Sequence, residues 1–227
     1  MYAAKCRATS VTVALELISE SDYQILPQPG TAIYVDALPG RSLMHSHFRY
    51  FSGTDTFHMV ETQGALDEGA LDDWGHLWFE LTRSAVGGPV SWSIAQQSVY
   101  GPDAEHRWMG GIAMNGDGDI ALGYSISGSV FPGIRWTGRR ADDPVGTMGP
   151  EFSIKEGEGL QPSTSRRWGD YSAMTVDPAD DRTFWYTQEY ITPANQWSTR
   201  VAAFVVNGIF ADGFESGDTS AWTVTAS

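Results

Sequence analysis

The chain carries one cysteine, Cys6, in 227 residues, so no internal disulfide can form and the core has to stand on packing alone. Disulfide-stapled scaffolds are excluded. Cations are scarce as well: 14 Lys and Arg against 28 Asp and Glu give a formal net charge of −14. With no Lys/Arg run to offset that charge, a phosphate backbone would be repelled over most of the surface, and nucleic acid is not an expected partner. No apolar run approaches the roughly 20 residues of a membrane span. The opening "MYAAKCRATSVTVALELISESDY" contains acidic residues and lacks a small-residue cleavage pattern, so an export signal, if the protein has one, is expected outside this sequence.

What is present points to β structure. Nine Trp, 25 Gly and 11 Pro stand against 19% charged residues, a composition of short strands and many tight turns. From Leu43 the runs "LMHSHFRYFS", "DTFHMVETQ", "WGHLWFELTR" and "WSIAQQSVY" are each rich in aromatic or β-branched residues and read as one antiparallel meander. A second set follows as "WMGGIAMNG", "DIALGYSIS", "FPGIRWTGR" and "EFSIKEGEG". The third set, "WGDYSAMTVDP", "RTFWYTQEYI" and "QWSTRVAAFVV", is expected to stop one strand short.

The sets also echo one another in register. Arg107, Trp108, Ala113, Met114 and Asp117 recur sixty positions later as Arg167, Trp168, Ala173, Met174 and Asp177. Self-similarity at this period, with four strands per unit, predicts the blades of a partial β-propeller. Each "RW…AM…D" segment would be the innermost strand of a blade. A flat β-sandwich is the architectural rival, since it uses the same alternation without requiring the offset. The expected organisation is a lead-in over 1–42, blades over 43–104, 105–165 and 166–206, and an acidic Gly/Ser-rich tail or the start of another module over 207–227. Propellers use about 4 to 8 blades, so the missing blades are expected from a longer chain.

The segments "PQPGT", "DAEHRWMGGIAMNGDGDIALGYSISG", "PGIRWTGR", "DPVGTM" and "RWGDYSAMTVDPADDRTFWYTQEY" resemble the C-terminal half of a group of large, uncharacterised secreted bacterial proteins that look like β-propellers. The resemblance spans roughly Pro27 to Phe204. The tail "ADGFESGDTSAWT" is similar to segments of exported gram-negative proteins. These likenesses imply a secreted or cell-surface location and carry no catalytic residues.

The expected role is a non-catalytic binding or interaction module for a glycan or protein, acting through the end of the central channel. "WGDYS" breaks the repeat where a strand should face that channel, with Asp170 and Tyr171 in place of Gly110 and Gly111. Asp170 is the first candidate, with Tyr171, Trp168, Arg107 and Arg135 as further ligand contacts. The alternative is a sialidase-like glycoside hydrolase, because that chemistry needs arginines to clamp a carboxylate together with an acid and a nucleophile. Arg107, Arg167, Asp170, Glu189 and Tyr186 would serve it, with Arg135, Arg200 and Tyr190 in reserve. No "FRIP" segment or Ser-x-Asp-x-Gly-x-x-Trp box supports it, and Arg107 and Arg167 read equally well as braces of the turns entering each blade. A third alternative is an architectural spacer.

No cofactor is expected. Asn115, Asp117 and Asp119 alternate in "NGDGD", half of a calcium-loop pattern that reads first as an Asp-Gly hairpin turn. His45 and His47 share one strand face, where His58 or His76 could meet them at metal-binding geometry. The plainer reading is polar residues on an outer blade.

Overall fold

The computed structural model describes residues 26–35, 45–66, 74–84, 92–163, 167–169, 171–206 and 208–212. Among these the fold is all-β, twelve strands in three antiparallel sheets of four. The first comprises β1 (His45–Phe51), β2 (Thr56–Leu66), β3 (Trp74–Ser84) and β4 (Ser93–Tyr100). The second comprises β5 (His106–Met114), β6 (Ile120–Ser127), β7 (Gly133–Arg139) and β8 (Phe152–Lys155). The third comprises β9 (Ala173–Val176), β10 (Phe184–Ile191), β11 (Trp197–Val205) and β12 (Gly208–Asp212). Every strand pairs with its sequence neighbour, without crossovers. Three successive meanders packed face on face are blades of a partial β-propeller; a two-sheet sandwich is ruled out.

One expectation is corrected. The third sheet does not stop short, because β12 pairs antiparallel with β11, Val205 opposite Gly208 and Ala203 opposite Asp212. The dipeptide Asn207-Gly208 is a hairpin signal, but the strand after it is only five residues long and shows too little alternation to stand out from the acidic tail.

The second blade is buried on both sides: every residue of β5 and β6 is buried. Strand alternation assigns its two faces. Ile112, Met114, Ile120, Leu122 and Tyr124 pack on Val60, Trp78 and Tyr100 of the first blade. On the other face, Ala113, Ala121, Ile134 and Trp136 pack on Met174, Phe184, Tyr186, Ala202 and Phe204 of the third. The Trp136 and Phe204 rings stack with centroids 3.9 Å apart. The small residues on this face admit the third blade's rings; a Cβ at Gly123 would lie 2.7 Å from the Tyr186 ring.

The sixty-residue echo is a spatial neighbourhood. Trp108 and Trp168 meet edge to face with centroids 5.5 Å apart, and Leu26, Val35, Met109 and Ile191 close round them. The segment 26–35 therefore covers one end of the innermost strands, held by Gln28, whose amide donates to Ile33 O (2.9 Å) and Gln161 O (3.2 Å) while its Oε1 accepts from Gln161 N (2.6 Å).

Candidate functional site

The residues singled out from the sequence do not converge on one pocket. Arg107 and Arg135 do come together, on Glu151: Arg107 Nε donates at 2.7 Å, Arg135 at 2.6 Å and the Tyr124 hydroxyl at 2.7 Å. Arg107 is fully buried and also reaches Asp103 at 2.8 Å and Glu105 O at 2.7 Å. Burial opposes the charge on Glu151, but hydrogen bonds from Arg107, Arg135 and Tyr124 outweigh it and hold the carboxyl below its ordinary range. The same burial, with Tyr100 and Glu151 adding to it, raises Tyr124 well above the usual phenol range. This network ties β5, β6 and β7 to the segment entering β8.

Trp168 is buried and donates to Ser125 Oγ at 3.0 Å. Tyr171 is exposed, and so is Arg167; Asp170 lies outside the described residues. Tyr186 is buried, its hydroxyl donating to Met109 O at 3.4 Å, and burial raises its pKa. Gln188 and Ser172 donate to the same carbonyl, which a β5 bulge turns toward the third blade, with Met109 at φ 54. Glu189, Tyr190 and Arg200 are half-buried on β10 and β11.

Asn115, Asp117 and Asp119 form a turn: Asn115 Oδ1 accepts from Asp117 N (3.0 Å) and Asp119 N (2.9 Å), and Asp117 pairs with Arg182 at 2.8 Å. The histidines are dispersed in their contacts. The His47 ring accepts from Met114 N at 3.4 Å, whereas the His76 ring is buried 5.4 Å from that of Tyr124. The side chain of His45 lies outside what is described. Among the described residues no three His, Cys, Asp or Glu side chains are grouped to hold a metal ion.

A cleft of about 450 Å³ lies elsewhere, between the first two blades. Its floor is built by strand register. Glu80 on β3 stands directly opposite Gln96 on β4 and Val60 on β2, which puts His58, two residues from Val60, on the diagonal of the same face. Glu80 accordingly accepts from His58 Nδ1 at 2.5 Å and from Gln96 Nε2 at 2.6 Å. Thr56 Oγ1 lies 3.0 Å from His58 Nε2.

The cleft's walls are Phe51, Ala95, Met114, Ala141 and Val145. The wall loop is tied down by Arg139, which donates to Thr147 O (3.1 Å) and Asp143 O (2.7 Å), and by Gly146 N donating to Gln96 Oε1 at 3.1 Å. Asp119 contributes here too, accepting from Ala141 N at 3.0 Å. Apolar walls over a small set of oriented polar groups make a ligand-sized pocket. Sequence reading missed it, although Glu80 in the middle of "LWFELT", at a core-facing position, is the signal that could have marked it.

No family model and no curated protein matches the chain. An α-L-arabinofuranosidase from Podospora anserina in complex with cellotriose is similar in structure at 7% identity, covering 84% of this chain and 70% of that one with a TM-score of 0.26. The catalytic domain of a Coprinopsis cinerea GH62 α-L-arabinofuranosidase is similar at 8% identity, covering 84% and 71%, with a TM-score of 0.25. Similarity of this degree carries no argument about activity.

Proposed function

We propose that the protein is a non-catalytic glycan-binding module of an exported bacterial protein, with its ligand in the cleft between the first and second blades. The observation that supports this is the His58–Glu80–Gln96 set on the floor of a 450 Å³ cleft with Phe51 in its wall. Sugar hydroxyls both donate and accept, which suits a floor of imidazole, carboxylate and amide, and an aromatic wall suits the apolar C–H face of a sugar ring.

A binding role fits better than hydrolysis. Glycosidases generally place two carboxyl groups across the scissile bond. Glu80 is the one carboxylate among the residues lining the cleft, and both its oxygens are already engaged. The arginines of the sialidase-like alternative are divided between the buried Glu151 network, an exposed Arg167 and a half-buried Arg200.

The test is a glycan-array screen followed by calorimetry on the hits, with fluorogenic glycosides run alongside. Gln96→Ala is expected to weaken binding by about tenfold, the loss of one hydrogen bond to a desolvated ligand. Val145→Trp, on an exposed wall residue, should block the cleft without disturbing the fold. Ligand binding untouched by both variants, or turnover of a glycoside, would overturn the proposal.

A further inference from the structure

The cleft floor sets an acceptor beside a donor. A carboxylate has about four acceptor sites, and His58 Nδ1 and Gln96 Nε2 take one on each oxygen of Glu80. Gln96 gives one of its two side-chain N–H groups to Glu80 at 2.6 Å, while its Oε1 accepts from Gly146 N. Acceptor capacity on Glu80 and the second N–H of Gln96 therefore stand side by side. Two neighbouring substituents of a sugar ring, one donating and one accepting, fit that pair.

The walls narrow the choice. Phe51 and Ala95 of the first blade and Met114, Ala141 and Val145 of the second are apolar, and a plain hexose would bring hydroxyls against them with no partner there. A carboxylated sugar fits no better. Among the described residues lining the cleft the one Lys or Arg is Arg139, which is 3% exposed and donates into the wall loop at Thr147 O and Asp143 O. Nearby Arg49, 5.6 Å from the Phe51 centroid, is paired with Asp181. The matching ligand is uncharged, donates to Glu80 and carries an apolar group next to the donating atom.

An acetamido group on a sugar ring has those properties. We propose that the cleft selects N-acetylhexosamines, a proposal that rests on reading the cleft as a glycan site. The acetamido N–H donates to Glu80, and the oxygen on the adjacent ring carbon accepts the second N–H of Gln96. The methyl lies among Ala95, Met114 and Ala141, where a hydroxyl would go unpaired. A trans amide turns its carbonyl away from its N–H, so that oxygen points out of the cleft, where water satisfies it.

The experiment is calorimetry on the full chain at pH 7 with N-acetylglucosamine and N-acetylgalactosamine. Glucose, galactose, glucosamine and glucuronic acid are the matched comparisons. One of the acetamido sugars is expected to bind at least about tenfold more tightly than its hydroxyl counterpart, from one buried methyl and one hydrogen bond to a charged acceptor. Val145→Trp should remove that binding, with circular dichroism and thermal unfolding unchanged.

Glucose or galactose binding as tightly as its acetamido counterpart, and lost in Val145→Trp, would overturn the selectivity and leave the cleft a glycan site. Tightest binding of glucosamine or of glucuronic acid would overturn it as well, since charge and not the methyl would then decide. An acetamido preference that persists in Val145→Trp would place the selective site outside the cleft and overturn the proposal. Silence toward every sugar here and across the glycan array, from folded protein, would overturn the glycan reading itself.

Discussion

The innermost strands of the second and third blades are written alike and behave differently. Each belongs to a segment that reads Arg-Trp, then Ala-Met, then an Asp turn, but Arg107 and Trp108 lie on β5 whereas Arg167 and Trp168 precede β9. In the second blade every residue of β5 is buried; in the third, β9 is four residues long and Met174 is its one buried side chain. Arg107 is fully buried and multiply bonded, whereas its counterpart Arg167 is exposed. Gly111 is pressed by its neighbours, whereas its counterpart Tyr171 is 78% exposed. A repeat thus sets strand direction and turn chemistry, and the number of neighbouring sheets sets burial and the cost of change.

Arg107→Ala should have the largest effect. It removes one partner from a buried ionic network and leaves Glu151 with Arg135 as its one cation beside the Tyr124 hydroxyl, a change that costs about 3–5 kcal/mol in comparable buried pairs. Urea unfolding followed by tryptophan fluorescence measures it, and a cost below about 1 kcal/mol would show that the network is solvated.

Gly111→Tyr writes the third-blade residue into the second blade. A Cβ there would lie 3.1 Å from the Tyr186 ring and 3.3 Å from Met174 N, with no open space for a ring beyond it. The expected loss is at least about 3 kcal/mol, the upper end of ordinary overpacking costs. The reverse change, Tyr171→Ala, acts on a mostly exposed side chain and should shift stability by less than about 0.5 kcal/mol.

Much of the strand plan was legible because each blade strand is a run of aromatic and β-branched residues closed by Gly, Asp or Pro turns, and the echo located Trp108 beside Trp168. Less of the chemistry could be read. Glu151 is 44 positions from Arg107, and only sheet packing brings it there. The cleft floor depends on the β3–β4 register, which a bulge after Glu80 shifts. Asp119 looked like half of a calcium loop because its sequence spacing is the same whether its oxygens face an ion or, as here, the Ala141 amide. Local pattern specifies local geometry; a network spanning several strands is specified by the pairing of all of them.

Acid should separate the two blades by a smaller amount. Glu151 ionises more readily in the fold than the ordinary carboxyl value of 4.5, so its contribution is complete above that value and is lost as pH falls through the lower, folded pKa. Each unit of separation is worth about 1.4 kcal/mol. Stability followed by denaturant titration should fall on acidification below pH 4.5, and Glu151→Gln, less stable at pH 7, should show a shallower fall over that window. Equal slopes in the two proteins would place the acid sensitivity outside the second blade.

The smallest effect expected is at Arg167. If burial by two neighbours, and not the repeat itself, gives Arg107 its role, then the same residue at an exposed position ahead of β9 should contribute little. Arg167→Ala should change stability by less than about 0.5 kcal/mol, which for a chain of this size is a melting shift below about 2 °C. A loss comparable to that of Arg107→Ala would mean that the repeat itself, and not enclosure between two sheets, gives the arginine its role.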